Sequence, residues 1–111
     1  MALRQNLELM LQRGQDSPLL RFSLGSECLK SRDYVAAIGH LRQAVEQNPA
    51  YSAAWKRLGE AYTRAGALDS AADVYRKGVA AAAANGDIQA AKEMTVFLRR
   101  VEQQTNRARG A

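Results

Sequence analysis

The chain has little of what catalytic or covalently braced proteins rely on. Cys28 is the only cysteine among 111 residues, so it has no intramolecular disulfide partner, which fits a reducing compartment. His40 is the only histidine, and one imidazole with one thiol makes no ligand cluster for a structural metal. Prolines number two and β-branched residues are sparse while alanine is abundant, a balance that favours helix over strand. No run approaches the roughly 20 apolar residues that span a bilayer. Met1 to Gln12 interrupts its leucines with Arg4, Gln5, Asn6 and Glu8, unlike the core of a signal peptide. The expectation is a cytoplasmic protein without membrane contact. No G-x-x-x-x-G-K-[ST] phosphate loop occurs, and no cofactor is expected.

What is present is an ordinary globular composition, 47% hydrophobic and 24% charged, in a length that suits one domain. The net charge of +5 is uneven. From Lys92 onward five basic residues (Lys92, Arg99, Arg100, Arg107, Arg109) face two acidic ones (Glu93, Glu102), leaving +3 there and +2 on the first 91 residues. Such a segment can attract nucleic acid or an anionic surface, or it can simply be a solvated terminus.

Sliding the sequence against itself brings residues of like size into register at an offset of 34. Leu24 meets Leu58, Gly25 meets Gly59, Ala37 meets Ala71, Leu41 meets Tyr75, Ala44 meets Gly78, and Val45 meets Val79. Each copy reads as two helices. In the first, Leu20, Leu24 and Cys28 form one apolar stripe; Ala37, Ile38, Leu41, Ala44 and Val45 form another after a turn at Ser31-Arg32-Asp33. Asp33 suits an N-cap, and Asn48-Pro49 ends the second helix because proline disfavours helical geometry in the residue before it. The second copy opens with Ser52 as its expected cap, runs through Trp55, Leu58 and Tyr62, and turns at Gly66. Helical glycine costs about 1 kcal/mol relative to alanine. Two such glycines in one register, Gly25 and Gly59, predict close approach of helix backbones.

Trp55-x-x-Leu58-Gly59-x-x-Tyr62 with Gly66, Ala71 and Tyr75 resembles the tetratricopeptide repeat (TPR) signature, as found in small bacterial members of that family. Leu24-Gly25-x-x-Cys28 with Ala37, Leu41, Ala44 and Pro49 is a second copy, with Arg21 where tryptophan is common and Cys28 where tyrosine is. The resemblance implies an all-α fold, a right-handed superhelix of TPR helix hairpins with about six helices. The expected organisation is an N-terminal half-repeat over 1–14, repeats over 18–51 and 52–85, a C-terminal capping helix over 87–104, and a basic disordered tail over 105–111. In the N-terminal helix Leu3, Leu7, Met10 and Leu11 fall one offset before Ala37, Leu41, Ala44 and Val45. A turn over Gly14 to Ser17 and Pro18 at a helix start follow. The C-terminal helix, capped by Asp87, offers Ile88, Ala91, Met94, Phe97, Leu98 and Val101 to the stack, or to a docked partner.

The family's function is to bind a peptide or protein on the concave face lined by the first helix of each repeat. Carried over by position, the groove residues are Leu19, Phe22, Ser26 and Leu29, with Lys30 beside them, then Ala53, Lys56, Glu60 and Thr63, flanked by Arg57 and Arg64. Phe22 and Leu29 are the expected apolar contacts. Lys56, Arg57 and Arg64 suit an extended peptide carrying an acidic group or C-terminal carboxylate. The chain is expected to be a non-catalytic adaptor or scaffold. Cys28 falls on a packing stripe, and Asp69 and Asp73, one helical turn apart, lie on what reads as a solvated face and not as an acid/base pair. Binding of nucleic acid through the basic C-terminal segment is the alternative. Homodimerisation also remains open, because a short stack leaves its end faces thinly covered.

Overall fold

A computed structural model describes residues 2–110; Met1 and Ala111 lie outside the described residues. Six helices follow one another, with no strand among the described residues: α1 (Ala2–Gln12), α2 (Pro18–Lys30), α3 (Tyr34–Gln47), α4 (Ser52–Arg64), α5 (Leu68–Ala84) and α6 (Ile88–Ala108). They stack as antiparallel pairs into a right-handed superhelix that measures 49 × 31 × 18 Å.

Local chemistry sets the boundaries. Ser17 Oγ accepts from the Leu20 N–H and Pro18 opens α2; Asp33 and Asp87 accept from the N–H groups of Ala36 and Ala90. These side chains satisfy donors that a helix start otherwise leaves unpaired. α3 stops at Gln47, ahead of Pro49. The start of α4 differs from expectation: Tyr51 is the N-cap, without a side-chain bond, and Ser52 is already helical and buried. The α4–α5 turn passes through Gly66 at φ +81°, a left-handed conformation that glycine adopts without strain. One offset earlier the same geometry falls on Arg32, at φ +61°.

Two apolar clusters run through the stack. One joins Cys28, Leu41, Val45, Leu58 and Val74; the other joins Ala71, Tyr75, Ala82, Met94 and Val101. Trp55 and Tyr62 border both clusters. The seam between paired helices is closed by the glycines. A methyl placed on Gly25 would sit 2.6 Å from Leu41 Cγ, and one on Gly59 would run into the Tyr75 ring. These are the same contact repeated one offset apart. Gly78 makes a third such crossing, against Met94 and Trp55. The loops on one edge are tied by Trp55 Nε1–H donating to the Pro49 carbonyl at 2.8 Å and Asn85 Nδ2–H to the Ala50 carbonyl at 2.7 Å.

Of the disordered tail expected over 105–111, residues 105–108 belong to α6, and Ala111 lies outside the described residues. α6 continues to Ala108, because Gln103 to Ala108 holds no glycine or proline and Val101 anchors that stretch to the core. Thr105 Oγ1–H donates to the Val101 carbonyl at 3.0 Å, and Arg109 reaches Asp69 at 3.4 Å.

Candidate functional site

The first helices of the pairs, α2 and α4, lie side by side, and α6 continues their row. Lys56 Nζ bonds Glu93 Oε1 at 2.9 Å and fastens α6 to α4. The hollow along this row holds two adjoining depressions. A small one of about 110 Å³ is lined by Ser26, Leu29, Lys30, Arg57, Glu60 and Arg64. A larger cleft of about 440 Å³ is lined by Lys56, Arg57, Glu60, Thr63, Arg64, Tyr75 and Phe97. Arg57, Glu60 and Arg64 border both, so the two depressions adjoin at these side chains.

Its rim charges are held in place by one another. Glu60 receives Arg57 Nη1 on one oxygen and Arg64 Nη2 on the other, both at 3.1 Å. The two guanidinium groups are thereby fixed side by side, and each keeps N–H donors beyond those used on Glu60. Lys56 holds the Glu93 carboxyl below its usual range, chiefly through the hydrogen bond. Lys30 pairs with Glu27 at 3.0 Å. The positive character expected of Lys56, Arg57 and Arg64 is therefore partly offset by Glu60 and Glu93.

Eight of the residues expected from the sequence border this hollow: Ser26, Leu29, Lys30, Lys56, Arg57, Glu60, Thr63 and Arg64. The two expected apolar contacts stand differently. Leu29 is 3% exposed and packs in the cluster of Leu58 and Ala61, because α4 closes over the last turn of α2. Phe22 is half-buried against Tyr51, ring centroids 5.1 Å apart, and borders neither depression. Leu19 is 65% exposed and also lies off the hollow. Apolar surface is supplied instead by the half-buried Phe97 of α6, whose ring lies against the buried Tyr75 of α5, tilted at 45° with centroids 5.8 Å apart. Both were read in the sequence as packing residues only; their part in the hollow depends on where α6 lies. Ser26 adds an unusual feature, a buried Oγ with no hydrogen-bond partner.

The remaining reactive groups are structural. Cys28 is fully buried, and burial raises the pKa of its thiol, which keeps it protonated and poorly nucleophilic. Burial first, then the Arg21 charge, lowers the pKa of His40. Arg21 Nη1–H donates to His40 Nδ1 at 3.2 Å; guanidinium has no acceptor, so that nitrogen is unprotonated. Asp73 pairs with Lys77 and Asp69 with Arg109 on exposed surface. The C-terminal cations are divided: Arg109 sits at Asp69, Arg100 stands 5.9 Å over the Phe97 ring, and Lys92 and Arg99 flank a separate outer cleft. Among the described residues no group of three potential metal ligands converges, and no helix is long and apolar enough to cross a membrane.

Stacked helix pairs with this repeat and this hollow define a solenoid class, and comparison with known proteins gives its family. A tetratricopeptide repeat family model matches residues 29–94. A TPR repeat-containing protein of Pseudomonas aeruginosa is 50% identical over 98 residues, which are 88% of this chain and 93% of that protein. The solution structure of a Bordetella parapertussis protein superposes with a TM-score of 0.81 at 41% identity, covering 94% of this chain and 90% of that one. A tetratricopeptide repeat domain protein of Salinibacter ruber, also solved in solution, gives 0.74 at 27% identity over 79% of this chain and 89% of its own. The chain belongs to the tetratricopeptide repeat family, whose repeats are generally non-catalytic modules for protein–protein interaction.

Proposed function

We propose that this protein is a non-catalytic adaptor that receives an extended peptide segment of a partner protein in the hollow formed by α2, α4 and α6. The observation that carries the reading is an apolar floor, Phe97 backed by the buried Tyr75, beside two guanidinium groups that both pair with Glu60. An apolar side chain of the peptide seats on Phe97, and an acidic side chain or terminal carboxylate beside it accepts from Arg57 and Arg64. Division of the C-terminal cations among Asp69, Phe97 and the outer surface favours this groove over a nucleic-acid interface, which needs them gathered on one face.

The test is selection of peptides from a random library on the wild-type protein, followed by affinity measurement on variants. Selected peptides are expected to pair an apolar residue with an acidic one. Phe97→Ala is expected to weaken them about tenfold or more, as truncation of a central aromatic anchor does. Arg57→Ala/Arg64→Ala is expected to weaken them and to reduce the salt dependence of binding, with Leu19→Ala unchanged. Peptides that bind Phe97→Ala and the double arginine variant as well as wild type would remove the groove from consideration.

A further inference from the structure

Positive charge is concentrated in one small part of the hollow. The depression of about 110 Å³ between the C-terminal halves of α2 and α4 is lined by the cations Lys30, Arg57 and Arg64 and by a single carboxylate, Glu60. Glu60 accepts one N–H from each guanidinium, at 3.1 Å in both cases, and so draws together two arginines that stand two helical turns apart. A guanidinium has five N–H donors, and no other acidic side chain pairs with Arg57 or Arg64 among the described residues. Lys30 meets only Glu27, on its own helix and outside the depression, and the lysine side chain is 74% exposed. An exposed pair of this kind is weak and yields to a stronger partner. Lys56 differs: its ammonium is spent on Glu93 across the helix contact, and it borders only the larger cleft.

These features suit one anion better than another. Three cations less the Glu60 carboxylate leave two positive charges on the lining. A carboxylate brings one negative charge and two oxygens in a plane, which Arg57 and Arg64 alone satisfy. A phosphoryl group brings a charge of about −1.5 to −2 at neutral pH and three strong acceptor oxygens. It balances the lining and has an acceptor for each of Arg57, Arg64 and Lys30, through charge-assisted bonds. The depression is also small. It has room for one compact polar group, and the apolar contact falls to Phe97 in the adjoining cleft.

We infer that Lys30, Arg57 and Arg64 form a subsite for a phosphoryl group carried by the partner peptide, with Glu60 holding the two guanidinium groups together to receive it. This rests on the reading of the hollow as a peptide site and names the anionic group that site prefers: a phosphorylated side chain, with a carboxylate as the weaker ligand. Lys30 is the residue that tells the two apart.

Titration of nitrogen-15-labelled protein at fixed ionic strength, followed by NMR through backbone and arginine Nε–H signals, tests this with two small probes, phenyl phosphate and benzoate. Each joins a ring that fits against Phe97 to one anionic group, and the anion is what differs. Wild type is expected to shift at Arg57 and Arg64 and to bind phenyl phosphate about fivefold or more tighter than benzoate. Lys30→Ala is expected to weaken phenyl phosphate about threefold or more and to leave benzoate unchanged. Arg57→Ala/Arg64→Ala is expected to abolish binding of both probes. All three positions are exposed, and far-UV circular dichroism verifies that helicity is retained. Equal affinity of wild type for the two probes overturns the inference, as does a Lys30→Ala variant that weakens both alike. Shifts that gather at Arg99, Arg100 and Arg107 in place of Arg57 and Arg64 overturn it too, since they mean diffuse attraction of anions. In each of these cases, library peptides that still lose affinity on Phe97→Ala leave the groove standing without its phosphoryl subsite; peptides indifferent to Phe97→Ala remove both.

Discussion

Alanine substitution at four helical glycines separates backbone propensity from packing within one chain. Replacing a helical glycine by alanine gains about 1 kcal/mol where the new methyl has room. Gly39 meets that condition, since a methyl there has nothing within 4 Å. At Gly25 the methyl would stand 2.6 Å from Leu41 Cγ and 3.3 Å from the Ala37 carbonyl oxygen; neither can swing away, because Leu41 and Ala37 are fully buried on α3. At Gly59 it meets the Tyr75 ring, 4% exposed and rigid. Forcing a methyl into a packed seam costs about 1–3 kcal/mol, so after the gain in propensity the net at Gly25 and Gly59 is a loss of up to about 2 kcal/mol. Gly78 is intermediate, for the nearest atom is Met94 Sδ at 2.5 Å and a thioether end can move. The expected order of stability is Gly39→Ala, wild type, Gly78→Ala, then Gly25→Ala and Gly59→Ala, with about 1–3 kcal/mol between the extremes. Urea denaturation followed by circular dichroism reads this as a shift of midpoint at unchanged slope. If Gly59→Ala and Gly39→Ala move the midpoint in the same direction by similar amounts, the glycines are not what lets the helices close.

Leu29→Ala is expected to cost about 2–5 kcal/mol as a cavity in the α2–α4 contact, whereas Leu19→Ala leaves the urea midpoint unchanged. Arg32→Gly is expected to stabilise by about 0.5–1 kcal/mol, since it relieves a left-handed backbone at a non-glycine residue; a lower melting temperature would contradict this. Asp16 is held down to about 2 by hydrogen bonds from Arg21 and Gln47. A depressed carboxylate contributes stability above its unfolded pKa near 4 and loses it as pH falls toward 2. Asp16 is partly exposed, so the contribution is below about 1 kcal/mol; Asp16→Asn should lower stability by that much at neutral pH and show no difference from wild type near pH 2.

Most of the stack is legible in the sequence because its determinants are local or repeat at a fixed offset. Pro18, Asp33, Asp87 and Pro49 act within one turn of where they stand, and Gly25–Leu41 recurs as Gly59–Tyr75. The tetratricopeptide assignment rests on that recurrence. The residues on the rim of the proposed hollow are nameable from the sequence, since Glu60 sits at a family position on α4 with Arg57 and Arg64 flanking it. The floor is not. Tyr75 and Phe97 become neighbours only through α6, whose placement no 34-residue match describes, and Leu29 looked free because α2 alone does not reveal how far α4 covers it. Ser52 looked like a cap by residue type, but Tyr51 takes the position and Ser52 is buried.

The break in periodicity has a specific physical origin in α5. Where α3 meets Asn48-Pro49 and stops after 14 residues, the corresponding residues of α5 are Ala82 and Ala83, and the helix runs for 17. Alanine has the highest helix propensity and offers no steric stop, so the chain turns later, at Asn85-Gly86-Asp87. The extra turn carries α6 forward, so that its inward residues align with those of α4 at 36 and not 34. At 34 the helix shows Lys92 and Glu93 in place of Leu58 and Gly59 and looks unrelated; at 36 Met94 and Leu98 fall where Leu58 and Tyr62 stand. Loss of a single proline signal thus accounts both for the apparent end of the repeat and for a third helix in the row, which brings Phe97 to the floor of the hollow and Glu93 to Lys56.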